Sequence, residues 1–161
     1  MIHSLKAAVV VAALATGSSA ALAGPGEPGH SHKTFAAGEP GDPKKPARIV
    51  PVNMREMDDG KMAFFPDVVE VRQGEQVKFV LKNGGKTDHE FMLDSTEHNA
   101  THKIAMQKNP DMEHDDPNGK RLAPGKNNEI VWRFTKPGTY EFACLIPGHY
   151  EAGMHGTVVV K

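Results

Sequence analysis

The sequence predicts an all-β domain, a sandwich or barrel, and three observations carry that reading. Apolar residues recur with period two through most of the chain, as half-buried strands require. Gly, Pro and Asp-Gly signals punctuate the alternation at short intervals, the mark of short strands joined by tight turns. Only one segment breaks the pattern, and it reads as a short helix inserted between strands.

The strands follow in order. "RIVPVNM" (48–54) and "KMAFF" (61–65) flank Asp59-Gly60, a hairpin signal, so these two segments should pair. In "VVEVRQGEQVKFVLKN" (68–83) Val69 and Val71 alternate with Glu70 and Arg72, and Gly74 marks a turn. Val77, Phe79 and Leu81 then share one face while Lys78 and Lys82 take the other. "KTDHEFML" (86–93) begins a strand at His89 after a Gly-rich turn. "EIVWRF" (129–134) points Ile130, Trp132 and Phe134 inward, and Pro137-Gly138 turns the chain. "TYEFAC" (139–144) sets Tyr140, Phe142 and Cys144 on one face, and "GTVVVK" (156–161) is the last strand. Residues 49–161 are a normal size for one sandwich.

The exception lies in residues 94–120. Asp94 and Glu97 form a capping-box-like pair, and Pro110 stops a helix begun there, which predicts about three turns. Upstream of the domain, residues 1–23 have the form of a cleaved signal peptide. Lys6 is the positive residue, Ala7 to Ala15 the apolar run, and Ala21-Leu22-Ala23 the cleavage motif. That run is short for a bilayer span, so no membrane span is expected, and the periplasm is the expected compartment. Residues 24–48, rich in Gly and Pro with GEPG twice, read as a flexible leader. The whole chain carries a formal charge of −1, and loss of Lys6 makes it −2. Such a balance excludes a broad basic surface for nucleic acid or anionic lipid.

Cys144 is the single cysteine, so an exported chain cannot make an internal disulfide with it. An inert buried thiol, an intermolecular bridge and a metal ligand are the three readings. Its neighbours favour the metal. The alternation turns Cys144 inward at a strand end, and the loop "LIPGHYEAGM" returns His149 and Met154 to the same end of the sandwich. Two His and one Cys with a weak axial Met describe an electron-transfer copper site. The loop supplies one His; His89 is the best-placed second.

These residues resemble the cupredoxins, the plastocyanin and azurin class of small copper proteins. "FFPDVVEVRQGEQVKF" matches the class in its Phe-x-Pro, alternating Val and Val-x-Phe, and "Y-x-F-x-C…P-G-H…G-M-x-G" matches its ligand loop. The likeness spans roughly residues 50–93 and 127–161. It implies a Greek-key β-sandwich holding one type 1 copper on His89, Cys144, His149 and Met154. Two features depart from the class. Four residues separate Cys144 from His149, as in azurin-like loops, and four separate His149 from Met154, as in plastocyanin-like ones. Glu90 stands after the first His, where many relatives have an Asn bracing the Cys loop.

Other His and Met residues offer softer signals. His98, His102 and Met106 fall at i, i+4 and i+8 of the insert, with Met112 and His114 following, a stripe that could hold a second Cu(I) or simply pack and solvate. His30 and His32 in the leader are a weaker metal candidate. His155 reads as exposed rather than ligating, and Met54, Met57 and Met62 as packing residues.

Three functions compete. An enzyme, such as a copper oxidase or nitrite reductase, combines several such domains and further copper centres, whereas one complete ligand set is visible here. A type 1 site itself serves either of the other two. The extra His and Met residues, and the likeness of "HEF" and "MEHDDPN" to periplasmic copper-tolerance cupredoxins, favour copper handling. The alternative is an electron shuttle, with a redox protein docking near His149.

Overall fold

The computed structural model describes residues 34–112 and 116–161. Ten strands and one helix follow in order: β1 (Glu39–Pro40), β2 (Arg48–Glu56), β3 (Met62–Phe65), β4 (Val68–Val71), β5 (Gln76–Asn83), β6 (His89–Asp94), α1 (Thr96–Lys108), β7 (Gly119–Leu122), β8 (Asn127–Arg133), β9 (Gly138–Ala143) and β10 (His155–Val160). They build two five-stranded sheets, β1-β8-β5-β2-β3 and β4-β10-β9-β6-β7. The chain crosses repeatedly from one sheet to the other, the connectivity of a Greek-key sandwich. Parallel pairing of β2 with β5 and of β4 with β10 makes both sheets mixed. No helix among the described residues is long and apolar enough to cross a membrane.

The core lies between the sheets, where the period-two residues put it. Val77, Phe79 and Leu81 of β5 and Ile130 and Trp132 of β8 face Val69 and Val71 of β4 and Tyr140 and Phe142 of β9. Four aromatic rings bind the layers. Phe91 stacks on Phe142 at 5.2 Å and 16°, meets Phe64 edge-on at 5.8 Å, and lies 5.3 Å from Phe79. The β2–β3 hairpin closes through Asp59-Gly60 as its sequence predicts: Met57 N–H donates to the Lys61 carbonyl, and Gly60 takes φ +83°.

Strand β6 is buried at all six positions, so no alternation marks it in the sequence. Its inner face enters the main core through Phe91 and Leu93. Its outer face is roofed by α1, where Met92 joins Met106, Ala143 and Leu145 in a second apolar cluster.

Three local expectations are corrected. The helix is capped by Ser95, whose hydroxyl accepts from the His98 N–H, and not by Asp94. Asp94 still belongs to β6 and receives the Ser95 N–H on its carboxylate, which shifts the cap by one residue. The helix ends at Lys108, with Asn109 as its C-cap just before Pro110, as proline geometry requires. Second, residues 34–48, expected within the flexible leader, lie against the sandwich. Ala37 is fully buried, Phe35 meets Trp132 edge-on at 5.1 Å, and β1 pairs with β8. Two apolar side chains and a strand edge to pair with outweigh the local Gly/Pro composition. Third, the end of the insert is a strand: β7 pairs with β6 and so extends the second sheet.

Candidate metal centre

Strand β6 begins at His89, and β9 ends one residue before Cys144. The two strands are antiparallel neighbours, with Met92 opposite Ala143, so both residues arrive at one end of the same sheet. His149 is returned to that end by the 145–154 loop, a chain of tight turns. His149 N–H donates to the Ile146 carbonyl, Met154 N–H to the His149 carbonyl, and Cys144 N–H to the Met154 carbonyl. Gly148 and Gly153 adopt φ +88° and +97°, conformations that side-chain-bearing residues rarely take. A further bond, from Met62 N–H to the Ala152 carbonyl, pins the loop to β3.

The outcome is a tight cluster. His89 Nδ1 lies 3.3 Å from His149 Nδ1, and Cys144 Sγ lies 3.3 Å from the same His149 nitrogen. The ligand atoms of all three residues fall within 4.8 Å of one another. Among the described residues it is the one group of three or more His, Cys, Asp or Glu side chains placed to hold a metal ion. His89 and Cys144 are fully buried, and His149 is half-buried at the surface. Met154 is fully buried in the main core, and its backbone bonds to both Cys144 and His149.

Electrostatics favour a cation here. Burial pushes the Cys144 thiol up to about 12, against the weaker pull of the Glu90 N–H. Burial lowers the pKa of His89, opposed by Glu56, and that of His149, where the neighbouring His89 adds repulsion. Both imidazoles are therefore held neutral, the form that binds metal. Two ring nitrogens and a sulfur converge, and the charge of Arg121 is too weak there to offset the burial of the thiol. A soft cation supplies the charge the thiolate needs, and a mixed N/S donor set matches copper.

Two glutamates support the ligands. Glu90, fully buried, donates its N–H to Cys144 Sγ at 3.2 Å, and its carboxylate accepts the Leu145 N–H at 3.2 Å. Burial raises its carboxyl to about 7. It thus braces the start of the ligand loop from the position where many relatives carry Asn. Glu56 was not anticipated. Its carboxylate accepts from the Lys86 and Thr87 N–H groups and the Thr87 hydroxyl, and one oxygen lies 3.3 Å from His89 Nε2. Burial raises its pKa, but these donors outweigh that and hold it at about 2. The buried Asn83 completes the frame, donating to the Thr87 and Leu122 carbonyls and accepting from the Gly85 N–H. Asn83 stands next to Gly-Gly and Glu56 at the polar end of β2, where neither carries a periodic signal, so pattern reading passes over both.

Of the softer candidates, His98, His102 and Met106 all lie on α1. Met106 is fully buried in the second cluster, with half-buried Met112 against it. His98 Nδ1 lies 3.0 Å from Asp94 Oδ1, and His102 is half-buried. Met54 is core, as expected, while Met57 and Met62 line a surface groove of about 520 Å³ beside Ala152 and Gly153. His155 is exposed and stacks on Tyr150 at 4.8 Å. His30, His32 and His114 lie outside the described residues, as does the signal segment.

Comparison with known proteins agrees with this geometry. The chain is 49% identical over 133 residues to the copper-resistant cuproprotein CopI of Rubrivivax gelatinosus, covering 82% of this chain and 78% of that protein. It is 35% identical over 104 residues to a chloroplastic plastocyanin of Physcomitrium patens, covering 65% of this chain and 54% of that one. A solved structure of auracyanin B superposes with a TM-score of 0.62 at 27% identity, covering 78% of this chain and 96% of that chain. Residues 52–161 match the model of the copper binding proteins of the plastocyanin/azurin family. The chain therefore belongs to that family, the cupredoxins, and its His89, Cys144 and His149 are positioned to bind one copper ion.

Proposed function

We propose that this protein is an exported, periplasmic cupredoxin of copper tolerance, cleaved after Ala23, that binds copper at a type 1 site and cycles it between Cu(II) and Cu(I). The convergence of His89, Cys144 and His149 carries the reading, and Met154, whose backbone bonds to both Cys144 and His149, would be the fourth, weak donor. Copper bound there supplies one-electron chemistry with little rearrangement. The protein's part is to hold three donors in a rigid, largely dry frame and to leave the half-buried edge of His149 as the path for electrons. On this reading the protein is not an enzyme: a single type 1 centre gains and loses one electron and turns over no substrate. The 49% identity to a copper-resistant cuproprotein favours tolerance over a dedicated shuttle between redox proteins.

Copper titration of the mature protein tests the site. A strong thiolate-to-copper band saturating at one Cu(II) per chain is the expected result; absence of the band removes the copper reading. A deletion strain sensitive to copper but normal in respiration supports tolerance, and the reverse phenotype favours the shuttle. The proposal extends to a second soft site on the insert, through His98, His102, Met106 and Met112 with His114. A Cu(I) count above one per chain is the result it requires; a count of one assigns the helix to packing alone.

Met154 has its own test. Met154→Leu keeps volume and apolarity, so the fold and the thiolate band should persist. Cu(I) is satisfied by three donors whereas Cu(II) gains from a fourth, so loss of the thioether should raise the reduction potential, which the axial donor tunes. An unchanged potential would show that Met154 is a core residue and not a ligand.

A further inference from the structure

We propose that Glu56 is a positioning residue for the copper site: its carboxylate fixes the outer edge of His89 and biases the centre toward Cu(II) over Cu(I). The inference depends on His89 being a copper ligand, as proposed above.

Glu56 is the last residue of β2, in the sheet opposite to that of His89. One carboxylate oxygen takes the Thr87 N–H at 2.9 Å and the Thr87 hydroxyl at 2.6 Å, and the other takes the Lys86 N–H at 2.9 Å. These donors belong to the turn that leads directly into His89, so the carboxylate ties the end of one sheet to the entry of the ligand strand. The same carboxylate lies 3.3 Å from His89 Nε2. That nitrogen is buried and has no aligned hydrogen bond of its own, and the ring is fully buried. We read the 3.3 Å approach as a charge contact, close but off the ideal hydrogen-bond direction. Gly85 makes room for it: a Cβ there would collide with the Glu56 carboxylate and stand 2.7 Å from His89 Nε2.

Two consequences follow from chemistry. An anion facing Nε2 favours the tautomer with the proton on that nitrogen, leaving the Nδ1 lone pair to face Cys144 and His149. This is how outer partners set the basicity and orientation of ligating imidazoles. The same anion, four-fifths buried, interacts more strongly with a doubly than a singly charged ion. Glu56 therefore lowers the reduction potential of the centre relative to one with a neutral partner at that edge.

The test compares copper-loaded wild type, Glu56→Gln and Glu56→Ala. Glu56→Gln keeps the size and one acceptor oxygen but removes the charge. Its thiolate band should persist while Cu(II) affinity falls about 10-fold, the low end for outer partners of metal ligands. Cu(I) affinity should be little changed, so the potential rises by about 59 mV, the equivalent of tenfold for one electron. Glu56→Ala should show the same shift together with lower thermal stability of the metal-free protein, since the 84–88 turn loses its acceptors. Equal losses for both oxidation states, or an unchanged potential, overturn the proposal and leave Glu56 as a turn clamp. A wild type without a thiolate band overturns instead the copper reading on which it stands. A measurement on the unmutated, metal-free protein serves where a variant fails to fold. The ring nitrogen resonances of His89 should report a proton on Nε2, and a proton on Nδ1 overturns the assignment.

Discussion

Cys144→Ser should abolish the thiolate-to-copper band altogether while leaving the fold in place. The band requires a copper–sulfur bond, and a serine hydroxyl neither supplies sulfur nor ionises in a buried site. Cys144 is fully buried, and its thiol is pushed up to about 12, so only a bound cation brings it to the thiolate form. Serine is close in size and can still accept the Glu90 N–H that now reaches Sγ. The metal-free variant should therefore unfold within a few degrees of wild type. Cu(II) affinity should fall by more than the about 10–100-fold that loss of an outer partner costs, because a direct ligand is gone. Optical spectra across a Cu(II) titration, with thermal unfolding of the apoprotein as control, make the comparison. A coloured serine variant with unchanged affinity would remove Cys144 from the ligand set.

The second large effect concerns stability. Phe91→Ala should cost about 3–5 kcal/mol, the range for deleting a buried aromatic side chain. The ring is fully buried and touches Phe64, Phe79 and Phe142, which come from both sheets, so neither layer alone can close the cavity. Phe91 also stands two residues after His89 on β6, and a looser strand start should weaken copper binding as well. Denaturant unfolding of the apoprotein measures the first effect and copper affinity the second. A loss under about 1 kcal/mol would mean that the cavity collapses and that the aromatic cluster is not the joint between the sheets. Phe91→Leu, which keeps much of the volume, should fall between wild type and Phe91→Ala.

The fold and the site were legible to different depths, for physical reasons. Val77, Phe79 and Leu81 announce their face because one side of β5 is buried in the core and the other is half-buried to exposed. β6 gives no such signal, since α1 covers its outer face and every position is buried. The tail before β2 misled through composition. Phe35 and Ala37 are few apolar residues among many Gly and Pro, yet Trp132 and the edge of β8 give them somewhere to dock. The helix cap slipped by one because Asp94 and Ser95 are both good caps, and strand pairing with β9 claimed Asp94.

What the sequence determined by itself is chemical identity and local period. It supplied the one cysteine, the His and Met that follow it at short spacing, the alternation of the strands and the turns that separate them. Those are properties of neighbours along the chain. Tertiary structure decided what meets across it: the parallel pairing of β2 with β5, the seating of α1 over β6, and the contact of Glu56 with His89, 33 positions apart. A polar side chain that braces a ligand across that separation leaves no periodic trace. Its partner is chosen by the packing of the two sheets, and packing is settled by the whole chain at once.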